Sequence, residues 1–166
     1  MYGRRVPKSH PRVEACGTVD ELNAALGLAR ATAKPDSVRQ NLLAIQQDLI
    51  VLMGELGVQP EDLERYVADG YARVTPGLTA KLDALVREME AQSVSLNGWA
   101  TPGATGLSAA LDGARTICRR AERRVCALKQ SGELKNGEII IYLNRLSDVL
   151  WLVARWVEAT AGRAEK

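Results

Sequence analysis

Five arginines crowd into ten residues of this chain, Arg115-Thr116-Ile117-Cys118-Arg119-Arg120-Ala121-Glu122-Arg123-Arg124. On a helix, Arg115, Arg119 and Glu122 or Arg123 fall at i, i+4, i+7 and i+8 and share one face. Like charges at that spacing oppose one another by roughly 0.2–0.5 kcal/mol per pair. A bound anion relieves the crowding. Arginine suits a polyphosphate, because its planar fork grips two oxygens at once. The same run also reads as a solvated helix face paired with carboxylates on other helices.

Three further groups could do chemistry. Tyr142-Leu143-Asn144-Arg145-Leu146-Ser147-Asp148 places Asn144 and Asp148 four residues apart beside an apolar stripe. It reads either as a ligand-facing polar strip or as a network between helices, because an unsatisfied buried polar group costs about 1–3 kcal/mol. Gly17-Thr18-Val19-Asp20-Glu21-Leu22-Asn23 supplies two carboxylates and an amide that could partner the arginines. Its Thr18-x-x-Glu21 spacing is also that of a capping box. Asn97-Gly98-Trp99-Ala100-Thr101-Pro102-Gly103-Ala104-Thr105 sets a large aromatic among flexible residues just ahead of a helix start. That is either a ligand lid beside free N–H groups or a loop anchored by a core tryptophan. His10 reads as a surface residue. Cys118 and Cys126 read as small core hydrophobes, with Cys16 set apart by its place before Gly17.

These residues need helices to hold them. Apolar side chains recur at three- and four-residue steps in five stretches. They are Val19, Leu22, Leu26 and Ala29 from Val13 to about Lys34, then Leu42, Ile45, Leu49, Leu52 and Met53 from Asp36 or Ser37 to Gly57. Next come Leu78, Leu82, Leu85 and Met89 after Thr75-Pro76, where threonine caps and proline takes the first turn. Leu111, Ala114, Cys118, Ala121, Val125 and Leu128 follow from Thr105 or Leu107 to Lys129, and Ile139, Leu143, Leu146, Leu150, Val153 and Val157 from Glu138 to Ala161. Residues 58–74 read as a loop with at most one helical turn. Residues 1–12 read as extended, basic and broken by Pro7 and Pro11. Long helices joined by modest loops specify an all-α, up-and-down antiparallel bundle.

Composition removes other classes. The chain has 166 residues, 22 Lys and Arg against 20 Asp and Glu, one His, three Cys and no Phe. This is one domain by length, residues 1–166 as a single unit. The charge balance of +2 opposes a general nucleic-acid binder. One histidine excludes a multi-histidine metal site within one chain. Three cysteines without CxxC spacing oppose a disulfide scaffold or a zinc site. No apolar run of about 18 residues is present for a membrane span, and no leader pattern is visible. The expected compartment is the cytoplasm.

Taken in order, the motifs resemble the PduO-type ATP:cob(I)alamin adenosyltransferases. The matching stretches are Arg5-Val6-Pro7-Lys8, Val13-Glu14-Ala15 leading into Gly17 to Asn23, Thr101-Pro102-Gly103, Arg115 to Arg124, and Tyr142 to Asp148. The resemblance implies a ferritin-like five-helix bundle assembled as a homotrimer with active sites between subunits. It implies transfer of the 5′-deoxyadenosyl group of ATP to the cobalt of cob(I)alamin, with Mg²⁺ on the triphosphate and an adenosylcobalamin-dependent enzyme as acceptor of the product. By resemblance Lys8 contacts phosphate, Arg119, Arg120, Ala121, Glu122 and Arg123 line the nucleotide, and Asn144 binds ATP. The resemblance makes Arg119 the strongest phosphate ligand. Arg115 and Asp20 match a salt bridge across the subunit interface.

Two departures from the family pattern stand out. Family members carry a glycine- and threonine-rich phosphate loop ahead of the stretch matching Arg4-Arg5-Val6-Pro7-Lys8. Here that loop is missing before Met1, so the chain is expected to be a trimmed form of a longer protein, the alternative being an incomplete ATP site. Trp99 stands where family members have a phenylalanine that packs under the corrin and excludes the lower axial ligand, and that role is expected to survive. Gly103-Ala104 replaces a frequent Gly-Gly. The rival reading is a non-catalytic bundle that binds nucleotide or corrinoid as a sensor or carrier.

Overall fold

The structure is a computed structural model, and it describes residues 2–92 and 100–164. Six α-helices and one short 3₁₀ turn make up the described residues, with no strand among them. They are α1 (Pro11–Thr32), α2 (Asp36–Leu56), α3 (Leu63–Ala68), α4 (Pro76–Glu90), α5 (Gly106–Gln130) and α6 (Glu138–Ala164). The five long helices are those expected from periodicity. Every stripe residue named above for α1, α5 and α6 is buried. On α2 and α4 the stripe sits partly at the core's edge, with Met53, Leu78 and Leu85 only half-buried.

Side-chain links between helices fix their directions. Glu14 and Glu21 of α1 meet Arg124 and Arg120 of α5, so these two helices run antiparallel. Lys81 of α4 meets Asp48 of α2. Thr79 and Asp83 of α4 meet Glu138 and Arg145 of α6 in ascending order, so α4 and α6 run parallel. The path is therefore up, down, up, down, up through α1, α2, α4, α5 and α6. Five alternating helices closed into a ring must place one like-directed pair side by side, and that pair is α4 and α6.

Three local expectations are corrected. Helix α1 begins at Pro11 rather than Val13, because its cap is His10, whose Nδ1 accepts the Arg12 N–H at 3.1 Å. Proline is tolerated at the first helical position, where its missing N–H would have no intrahelical partner. Thr18 is no cap: it is buried in mid-helix, and its hydroxyl donates to the Glu14 carbonyl at 2.8 Å. Residues 58–74 hold more than a turn, since α3 packs there. Tyr66 of α3 is buried and stacked on Tyr71, with ring centroids 4.8 Å apart. A Cβ on Gly54 would come within 2.7 Å of the Tyr66 hydroxyl, so the missing side chain lets α3 seat against α2.

Two buried charges tie the loops to this frame. Glu55 accepts from Arg73 Nε at 2.9 Å, the Val74 N–H at 2.7 Å and Asn136 Nδ2 at 3.0 Å. Arg12 donates to the carbonyls of Leu56 and Val58, each at 2.9 Å, and to that of Glu133. The start of α1 is thereby locked to the end of α2 and to the α5–α6 connection.

Candidate functional site

Helix α5 carries the arginines because its period turns one stripe inward and leaves the rest outside. Thr105 starts it with a reciprocal cap, its Oγ1 accepting the Ser108 N–H at 3.0 Å while Ser108 Oγ accepts the Thr105 N–H at 3.1 Å. The arginine run then divides in two. Arg120 and Arg124 lean toward α1, where Arg120 pairs with Glu21 and Arg124 with Glu14 at 3.3 Å. Arg119 and Arg123 are exposed, and among the described residues no carboxylate lies within 4.0 Å of either. Ala121 is buried beneath them.

The polar strip on α6 borders that open pair. Asn144 Nδ2 donates to Glu122 Oε1 at 2.9 Å across the α5–α6 groove. Arg145 turns the other way, 2.7 Å from Asp83 of α4 and 3.3 Å from Asp148. Asn144 and Asp148 are both exposed. The strip is therefore a network between helices, and Asn144 joins it through Glu122, which stands between Arg119 and Arg123 in the sequence of α5. Beneath lies Cys118, whose thiol donates to the Leu143 carbonyl at 3.2 Å. Burial pushes its pKa well up, and Glu122 adds to this while Arg119 opposes it, so it stays a thiol.

Arg115 sits at the edge of this face. Its Nε donates to Asp112 Oδ1 at 3.2 Å. Asp112 is buried, and its other oxygen accepts from Arg155 Nη2 at 2.6 Å. Neither Asp112 nor Arg155 was expected to matter from the sequence. The available signal was a charge set beside core positions, Asp112 after Leu111 and Arg155 after Ala154. Asp20 is exposed on α1, and no cation among the described residues lies within 4.0 Å of it. Within one chain Asp20 and Arg115 do not meet.

The basic N-terminal segment is strapped down by α3 and the turn before it. Arg4 grips Asp62 with both Nε and Nη2, the latter at 3.0 Å. The Tyr2 hydroxyl donates to Asp69 Oδ2 at 2.8 Å, and the Arg65 guanidinium lies 4.4 Å from the centre of the Tyr2 ring. Lys8 is exposed at the end of this segment, just ahead of α1. His10 is the cap described above, and its Nε2 lies 3.8 Å from the Glu133 carboxylate. Cys16 is half-buried, and burial raises its pKa. Trp99 lies outside the described residues. The segment that follows it joins α5 at Thr105, beside an open depression of about 540 Å³ that Thr32, Pro35 and Trp156 also line.

Among the described residues, no three His, Cys, Asp or Glu side chains converge to hold a metal ion. No single described helix is long and apolar enough to cross a membrane.

Comparison with known proteins narrows what such a surface serves. The chain matches the family described as cobalamin adenosyltransferase over residues 1–157. It is 39% identical over 166 residues to the corrinoid adenosyltransferase PduO of Salmonella typhimurium, covering 98% of this chain and 47% of that protein. It is 36% identical over 166 residues to the corrinoid adenosyltransferase of Bacillus subtilis, covering 98% of this chain and 82% of that one. The chain thus spans about half the length of the Salmonella relative. A variant of the PduO-type ATP:corrinoid adenosyltransferase from Lactobacillus reuteri, complexed with cobalamin and ATP, superposes with a TM-score of 0.84 at 32% identity. That match covers 96% of this chain and 87% of the other. With a family match over nearly its whole length and a bundle of the same form, this chain belongs to the cobalamin adenosyltransferase family.

Proposed function

We propose that this chain transfers the 5′-deoxyadenosyl group of ATP to the cobalt of cob(I)alamin. Co(I) attacks the 5′ carbon, a cobalt–carbon bond forms, and the C5′–O bond breaks. Triphosphate leaves with the electron pair. The observation that carries this reading is the open pair Arg119 and Arg123 beside Asn144, on a helix whose other exposed arginines are already neutralised.

The residues take these roles. Arg119 and Arg123 hold the triphosphate, whose charge grows as it departs and which charge-assisted donors stabilise. Lys8 reaches the same phosphates from the segment ahead of α1. Asn144, held by Glu122, contacts the nucleotide, and Arg120 and Ala121 shape the surface beneath it. Mg²⁺ enters as part of the substrate, bound mainly by phosphate oxygens and water, as suits an ion that keeps several waters. Because cobalt is the nucleophile, the protein's task is positioning.

An exposed phosphate face needs a cover to exclude water. We take that cover to be a second copy of the chain in a homotrimer, with Asp20 of one copy meeting Arg115 of the next. Trp99 is assigned the exclusion of the corrin's lower axial ligand. The cytoplasm is the proposed compartment, and an adenosylcobalamin-dependent enzyme the proposed acceptor of the product.

The test is anaerobic adenosylation of chemically reduced cobalamin by this chain, followed by the visible spectrum. ATP-dependent loss of the Co(I) spectrum with formation of adenosylcobalamin is the expected result. Saturable ATP binding without product would instead identify a carrier or sensor and overturn the proposal.

A further inference from the structure

Arg115 differs from the other arginines of α5 because a buried anion holds it. The Asp112 side chain is 4% exposed and divides its two oxygens between two guanidinium groups. Oδ2 accepts from Arg155 Nη2 at 2.6 Å, and Oδ1 accepts from Arg115 Nε at 3.2 Å. Arg155 is itself 7% exposed and is also held by Glu158, with Nη2 shared to Oε1 at 3.1 Å and Nε 3.0 Å from Oε2. Two cations and two anions form a neutral relay from α6 through the core edge to Arg115, whose side chain is 26% exposed.

We infer that Asp112 is a positioning residue for Arg115, and that Arg155 fixes Asp112 from behind. This rests on the reading above that Arg115 belongs to the adenosylation site. Asp112 engages Arg115 through Nε alone. Both terminal nitrogens of Arg115 are without a protein acceptor among the described residues. A guanidinium gripped at Nε keeps a fixed direction and still offers its outer donors to an incoming carboxylate or phosphate. The partial neutralisation of Asp112 by Arg155 matters as well. A buried carboxylate with only Arg115 as partner would draw the whole fork inward. Shared with Arg155, it holds one nitrogen and releases the other two. Folding alone does not require such a relay, since apolar residues of similar volume often replace a buried ion pair without loss of stability.

A double-mutant cycle on kcat/KM for ATP tests the relay. Asp112→Asn is expected to lower kcat/KM about tenfold in the unsubstituted chain and to have no further effect in an Arg115→Ala background. A second tenfold loss in that background overturns the inference, because Asp112 would then act other than through Arg115. No effect of Arg115→Ala on turnover overturns it too, while leaving adenosyl transfer standing. The pair Asp112→Leu with Arg155→Met covers the case in which Asp112→Asn fails to fold. It keeps the buried volume and removes both charges, and full activity in the folded double variant overturns the inference. A spectroscopic readout is independent of turnover. The Arg115 Nε–H, assigned by NMR through its loss in Arg115→Lys, is expected to exchange slowly with water and to become fast in Asp112→Asn. Equal exchange in both overturns the relay even in a chain that forms no adenosylcobalamin.

Discussion

The two flanks of α5 present the same residue type to the same solvent with opposite outcomes. Toward α1, Arg120 and Arg124 each find a glutamate one helix away. Toward α6, Arg119 and Arg123 find none within 4.0 Å among the described residues, and Glu122, which lies between them in sequence, is engaged by Asn144. Both flanks bring like charges together at i, i+4. On the first the fold supplies the counter-charge, and on the second it withholds it. Surface charge alone therefore does not mark a site. What marks it is guanidinium groups that a helix holds side by side with no internal partner, because their repulsion lasts until a ligand arrives.

Arg119→Ala should break this contrast most visibly. A hydrogen bond to a charged group is worth about 1.5–3 kcal/mol. If Arg119 is the main phosphate donor proposed above, its loss should therefore lower kcat/KM for ATP by roughly 100-fold, near the upper end of that range. The melting temperature should hold or rise slightly, since Arg119 makes no ion pair among the described residues and its repulsion by Arg123 is relieved. Arg120→Ala serves as the control and should lose far less activity. Equal losses from the two substitutions would show that the flanks are functionally alike and that the open pair is not the phosphate site.

Thr105→Ala acts on both flanks together. It removes the hydroxyl that accepts the Ser108 N–H and should cost about 1 kcal/mol of stability. Thermal or urea unfolding measures it. The activity ratio between the Arg119 and Arg120 variants should be the same in this background. A changed ratio would mean that the start of α5, rather than its charge pairing, controls the site.

The parts of this molecule that could be read from its sequence are those set by local period. The five long helices follow from stripes such as Leu111, Ala114 and Cys118, because an amphipathic helix must bury its apolar side. The arginine face follows from the same rule. Long-range partners could not be read this way. Which arginine meets Glu14 or Glu21 depends on how α1 packs against α5. Helix α3 escaped because six residues show too little period, and its place depends on a gap at Gly54 filled by Tyr66. His10 looked like a surface side chain, and its capping role needs the chain to turn into α1 at Pro11. Asp112 and Arg155 each look like a misplaced charge until α5 and α6 bring them within 2.6 Å.

Glu21→Gln asks for a smaller effect. It frees Arg120 while leaving the backbone untouched. Both side chains are about half exposed, so the pair contributes about 0.5 kcal/mol or less. Stability should barely move at physiological salt. ATP affinity should rise slightly if a third open guanidinium joins the phosphate face, and titration calorimetry reads that change. Unaltered affinity would confine the phosphate site to the α6 flank and sharpen the division.

The N-terminal segment repeats the same contrast at the smallest scale. Arg4 is closed by Asp62, whereas Arg5 and Lys8, one and four residues further on, have no carboxylate within 4.0 Å among the described residues. The Arg4 hydrogen bond is the main reason that the Asp62 carboxyl is held below its ordinary value of 3.8. A depressed carboxyl stabilises the folded form above that ordinary value, and the contribution is lost as pH falls through the lowered one. In the intact chain the Asp62 carboxyl carbon, followed by NMR, should therefore titrate below 3.8, and in Arg4→Ala it should move up toward that value. Lys8→Ala should leave the Asp62 titration where it was while weakening ATP binding, because Lys8 belongs to the open half of the segment and Arg4 to the half that fastens it. An Asp62 titration that followed Lys8 instead would place both cations in one shared field and remove the distinction between strap and phosphate contact.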